Sequence, residues 1–138
     1  MRKSLGVMAG VSVIVVVVIV VFVLSVAPRF QCTKERYLEK VTPLLERWDD
    51  AHAVASSTAR IALGVQVNEL VAIKQAMAQL DVPSCGEEVQ KLLIEYMDAT
   101  VESFLAFMAQ ESDEAVTDLV EKADGLLDDW VAAVGSLE

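Results

Sequence analysis

Hydrophobic positions along the chain follow two different rules. Residues 5–27 are uninterrupted by any charge and rich in Val and Ile. After Pro28, apolar residues recur every three or four positions, separated by polar ones. A helix rises about 1.5 Å per residue, so roughly 20 apolar residues cross the ~30 Å hydrocarbon core of a bilayer. The first stretch therefore predicts one transmembrane helix, with length to spare for tilt. The second predicts a series of amphipathic helices.

Four such helices are expected. Tyr37, Leu38, Val41, Leu44, Leu45, Trp48, Ala51 and Ala55 form the first stripe, which ends at the turn-favouring Ser56-Ser57-Thr58. Pro43 either kinks this helix or starts it, with Thr42 as cap. Leu63, Val67, Leu70, Ile73, Met77 and Leu80 mark the second helix, and the run from Asp81 through Pro83 to Gly86 breaks it. Glu87 and Glu88 open the third, favourably placed for the helix dipole. Its stripe is Val89, Leu93, Met97, Val101, Phe104, Leu105 and Met108, ending near Gln110. Ser112 is a cap for the fourth, whose stripe is Val116, Leu119, Val120, Ala123, Leu127, Trp130, Val131 and Val134, with Gly125 a weak point inside it. No segment alternates with a period of two. The fold expected is all-α: a single N-terminal transmembrane helix plus an antiparallel up-down four-helix bundle. Its divisions are a short cytoplasmic tail (1–4), the membrane helix (5–27), a juxtamembrane linker (28–36) and an extracytoplasmic helical bundle (37–138).

Charge sharpens this division. The chain carries a net charge of −10, but all 21 acidic residues follow Gln31. With nine basic residues from Arg29 onward, that portion stands near −12. Phosphate backbones repel such a surface, which argues against nucleic-acid binding. Only the juxtamembrane stretch, with Arg29, Lys34, Arg36 and Lys40 against Glu35 and Glu39, suits lipid headgroups or plain solvation equally. Ser25-Val26-Ala27 resembles a signal-peptidase site, yet Pro28 follows it and the apolar run is long for a cleaved signal. Cys32 follows Phe30 and Gln31, which does not suit a lipoprotein. An uncleaved signal-anchor is expected, with the N-terminus cytoplasmic; the short basic start outweighs the local count of positive charge.

Two further features bear on assembly. Gly6 and Gly10 form a G-x-x-x-G pair, a spacing that lets membrane helices approach closely. Cys32 and Cys85 meet at the membrane-proximal end if helix one runs outward and helix two returns. Were residues 37–80 one helix, its ends would lie roughly 60 Å apart and no bond could form. A disulfide here would add about 3–4 kcal/mol and implies an oxidising compartment; two unrelated buried thiols are the alternative.

Chemistry is sparse. Asp49 and His52 make a lone Asp-x-x-His pair, whereas a di-iron bundle needs two such motifs with further carboxylates. A solvated histidine near a helix end is the plainer expectation. No haem attachment motif, phosphate loop or nucleophile elbow occurs. Glu95, Asp98 and Glu102, like Asp124, Asp128 and Asp129, fall on the solvated side of amphipathic helices. Trp48, Phe104, Phe107 and Trp130 either pack as a core or line a pocket within it. From Glu111 onward one lysine stands against nine acids, and Asp118, Glu121, Asp124 and Asp128 form an acidic face available to a partner. No catalytic residue, metal ligand or cofactor is expected.

At Arg47-Trp48-Asp49-Asp50, Ala55-Ser56-Ser57-Thr58, Arg60-Ile61-Ala62-Leu63 and Phe104-Leu105-Ala106-Phe107-Met108, the chain resembles small bacterial envelope proteins in which a helical domain follows a signal or anchor segment. Prolines often stand in those proteins at the positions of Ala59 and Gly64. The resemblance spans residues 32 to about 135; it implies the fold and compartment and carries no activity. The expected role is a non-enzymatic accessory or scaffold subunit, bound to the lipid bilayer and to a larger membrane protein complex or a second copy of itself. The alternative is a small-ligand-binding or sensory bundle acting through a partner.

Overall fold

A computed structural model describes residues 33–137. Its order is α1 (Lys34–Ser57), a 3-10 turn (Arg60–Ala62), α2 (Leu63–Ala78), a second 3-10 turn (Ser84–Gly86), α3 (Glu87–Met108) and α4 (Asp113–Gly135). The protein is all-α in these residues, with four helices and no strand. The expected membrane helix, Gly6, Gly10 and Cys32 lie outside the described residues. Among the described residues no helix is long and apolar enough to cross a membrane.

Local chemistry sets the helix ends. Thr33 is extended, and its hydroxyl accepts from the Arg36 N–H at 3.4 Å. This cap starts α1 at Lys34, three residues before the expected boundary at 37, because the cap and not the first apolar residue fixes the start. Pro43 neither starts nor ends the helix; α1 continues through it. Glu39, whose carbonyl loses its helical donor there, is exposed together with Pro43, so water can replace the missing bond. The Thr42 hydroxyl donates back to the Leu38 carbonyl at 2.7 Å instead of capping. At the other end Thr58 donates its hydroxyl to the Val54 carbonyl at 2.6 Å and its N–H to that of Ala55 at 3.1 Å, closing the last turn. Ser112 caps α4 as expected, accepting from the Ala115 N–H at 3.2 Å. α3 ends differently. Gln110 adopts φ 60°, the left-handed region, and the N–H groups of Gln110 and Glu111 bond the carbonyls of Phe107 and Ala106.

Side-chain contacts give the helix directions. Between α1 and α3 they ascend together: Tyr37 with Gln90, Trp48 with Tyr96, His52 with Phe104. α2 runs against both, since Arg47 pairs with Glu69, and Lys74 with Asp98, while Gln90 reaches the Met77 carbonyl. α4 runs against its neighbours as well: Lys122 lies 3.9 Å from Glu102, and Trp130 bonds Tyr37. The core between the helices holds Tyr37, Val41, Trp48, Leu63, Leu70, Ile73, Met77, Leu93 and Met97, all almost wholly buried. Burial of each large apolar side chain stabilises by about 1.5–3 kcal/mol. The α2 stripe is buried as the pattern requires, Leu80 only partly.

The fourth stripe departs from expectation. Only Ala123 and Val134 are buried, and Val120 and Val131 are exposed. α4 packs chiefly along α3, so among the described residues one side of its stripe has no closely packed helix. The surface of α3 that receives it is made of small residues: Ala99, Thr100, Ser103 and Ala106 are buried. Side chains of that size let the two backbones approach closely. Leu105, assigned to the core by its spacing, is exposed.

Candidate binding cleft

The two ends of the helix set are built differently. At the end near Thr33, one tyrosine and one glutamine join all four helices. The Tyr37 hydroxyl donates to Gln90 Oε1 at 2.9 Å and accepts from Trp130 Nε1 at 3.1 Å. Gln90 Nε2 donates to the Met77 carbonyl at 2.7 Å. Burial pushes the Tyr37 phenol above its usual pKa, and the Trp130 hydrogen bond partly opposes this. Gly86 presses against the same ring, and a Cβ there would stand 2.7 Å from Tyr37 Cδ2. Cys85 lies on the adjoining 3-10 turn, exposed and not a free thiol. Among the described residues no buried side-chain polar atom lacks a hydrogen-bond partner.

The opposite end is open. A cleft of about 360 Å³ is lined by His52, Ala55, Ser56 and Thr58 of α1 and its cap, Leu63 of α2, Ser103, Phe104 and Phe107 of α3, and Val116 and Val120 of α4. It exists because α1 and the first turns of α4 present small side chains there and α4 leans on α3. His52 is half-buried and meets the Phe104 ring edge-on, centroids 5.6 Å apart, so it is not the simply solvated histidine expected. Ser103 is buried and donates to the Thr100 carbonyl at 2.7 Å. The Arg60 guanidinium stands 6.0 Å from the centre of the Phe107 ring, at the limit of cation–π attraction.

Exposed apolar side chains gather around this end. Among the described residues seven large apolar side chains are exposed: Val54, Ile61, Val65, Leu105, Phe107 and Val120 lie at the end of α1, the first 3-10 turn, the start of α2, the end of α3 or the first turns of α4, and Val131 lies elsewhere. Ile61 is 97% exposed and Val65 73%.

The aromatic residues expected to share a pocket are divided. Phe104 and Phe107 line the cleft. Trp48 is wholly buried in the core, its ring 6.1 Å from that of Tyr96 and its Nε1 donating to the Tyr96 hydroxyl at 3.3 Å. Trp130 belongs to the closed end. Asp118, Glu121, Asp124 and Asp128 are all exposed on α4. Glu95 and Glu102 are exposed too, whereas Asp98 is half-buried and paired with Lys74. Among the described residues no group of three or more His, Cys, Asp or Glu is placed to hold a metal ion. The roles of Gln90 and Arg60 are not visible in the apolar pattern. Both stand out only after helix directions are known, although a Gln between two stripe residues, Val89 and Leu93, is a usable hint. No protein-family model, curated protein or solved structure matches this chain.

Proposed function

We propose that the protein is a membrane-anchored, non-enzymatic interaction module, serving as an accessory or scaffold subunit of a membrane protein complex or as a homo-oligomer. In this reading residues 5–27 span the bilayer, Gly6 and Gly10 pack against a neighbouring membrane helix, and an antiparallel up-down bundle stands in an extracytoplasmic compartment. A Cys32–Cys85 disulfide ties the bundle to its anchor beside the Tyr37 network. The observation that carries the proposal is the gathering of Ile61, Val65, Phe107 and their exposed apolar neighbours at one end of the helix set. The acidic face of Asp118, Glu121, Asp124 and Asp128 offers a second surface, suited to a basic partner.

The test is native mass spectrometry of the full chain, gently extracted from membranes under non-reducing conditions. The proposal predicts a stable assembly containing a larger membrane protein or further copies, and an intact N-terminus. A free, monomeric chain after mild extraction would contradict it. A second reading, a tethered small-ligand-binding bundle, is favoured by the cleft between His52 and Phe107.

A further inference from the structure

Three clefts among the described residues have comparable volumes, about 350, 280 and 360 Å³. Their linings differ in charge. Glu102 and Glu111 border the first, and Glu88 and Glu95 border the second. No carboxylate lines the third, although the portion of the chain that contains it stands near −12. Instead it holds His52, and Arg60 stands over its Phe107. Arg60 has no carboxylate within ion-pair distance among the described residues, unlike Arg47, Lys74 and Lys122. His52 makes a ring contact with Phe104 and no hydrogen bond to another described residue. The neutral imidazole has one N–H to give and the guanidinium five, so both can donate to an anion.

We propose that this cleft binds a small aromatic carboxylate, its ring between Phe104 and Phe107 and its carboxylate held by Arg60 with His52. The inference rests on the second reading above, that the cleft is a ligand site. The volume, about 360 Å³, lies at the small end of the ~300–1,000 Å³ usual for such sites and has room for a compact ring system. Aromatic rings at the site favour an aromatic guest, because offset and edge-to-face pairs gain beyond simple burial. The charge arrangement selects among guests: a cation meets Arg60, and a neutral ring leaves Arg60 and His52 with water alone.

The test is isothermal titration calorimetry on the full chain in lipid nanodiscs, with empty nanodiscs as reference. The probes are 2-naphthoate, 2-naphthylmethanol and 2-naphthylmethylammonium, which share a ring and differ in charge. The acid is expected to bind about ten-fold or more tighter than the alcohol, as a charge-assisted hydrogen bond allows, and the ammonium weakest. Arg60 lies on an exposed turn; Arg60→Gln should remove the preference for the acid, bringing its affinity down about ten-fold to that of the alcohol. Equal affinity for acid and alcohol in the unmodified protein would overturn the carboxylate assignment and leave the cleft as an apolar ligand site. Binding of none of the probes would overturn the ligand reading itself. The interaction-module proposal would then stand on its own test.

Discussion

The closed and open ends of the helix set use the same kind of helix and differ in what fills the space between them. At the closed end two large aromatics, Tyr37 and Trp130, span the gap, and each has its polar atom satisfied. At the open end α1 supplies Ala55, Ser56 and Thr58, and α4 supplies Val116 and Val120, which are too small to bridge it. Filling and satisfying a gap yields stability; leaving it half-filled leaves an open cleft. The comparison teaches that the cleft at the open end follows from the size of the side chains that line it, beside a core that includes Ala55 and Leu63.

The largest contrast should come from truncating one aromatic at each end. Tyr37→Ala removes a wholly buried ring and orphans Gln90 and Trp130, so urea unfolding should show a loss of about 3–5 kcal/mol. Phe107→Ala, at 45% exposed, should cost about 1 kcal/mol or less. Similar losses at both ends would erase the distinction. Gly86→Ala should cost about 1–3 kcal/mol, since its Cβ meets the Tyr37 ring. By contrast Gly125→Ala, with open space around it, should stabilise α4 by roughly 0.5–1 kcal/mol. Thermal unfolding of the two variants side by side checks both signs.

Titration probes the closed end without a substitution. The folded state holds the Tyr37 proton to higher pH than the unfolded chain does. Its contribution is therefore full below about pH 10, the ordinary tyrosine value, and is lost as pH rises through the raised pKa. The unfolding free energy should fall there with a slope of up to about 1.4 kcal/mol per pH unit from this group. Tyr37→Phe should abolish that component, and an unchanged slope in the variant would place the titration elsewhere. The smallest effect belongs to the connection between α3 and α4. Gln110→Gly relieves a left-handed backbone and should raise stability by about 0.5–1 kcal/mol, read by urea unfolding.

Particular elements account for what the sequence revealed. α2 was legible because all of its buried residues are large and apolar and recur at helical spacing. Ser112 was legible because a cap acts locally. The α3 face of Ala99, Thr100, Ser103 and Ala106 was not, since two of the four are polar and the alanines add only a weak signal beside the larger stripe of Val89, Leu93, Met97 and Val101. Missing that face led to the full burial expected of α4. The cleft was half legible: Phe104 and Phe107 were candidates for a pocket, but Trp48 and Trp130 were grouped with them. Sequence spacing places aromatics on a stripe and does not say at which level two helices meet. Arg60 and His52 gain meaning only from the direction of α3 relative to α1.

The most direct test of the interaction-module account compares two surfaces of one molecule in native membranes. A photo-crosslinking residue is placed at Ile61, on the apolar end, or at Asp124, on the acidic face of α4, and irradiated adducts are resolved by size. The account predicts a discrete protein adduct from Ile61, whether or not the acidic second surface at Asp124 also yields one. Adducts from Asp124 with none from Ile61 would contradict it, and would make the acidic face the surface that docks.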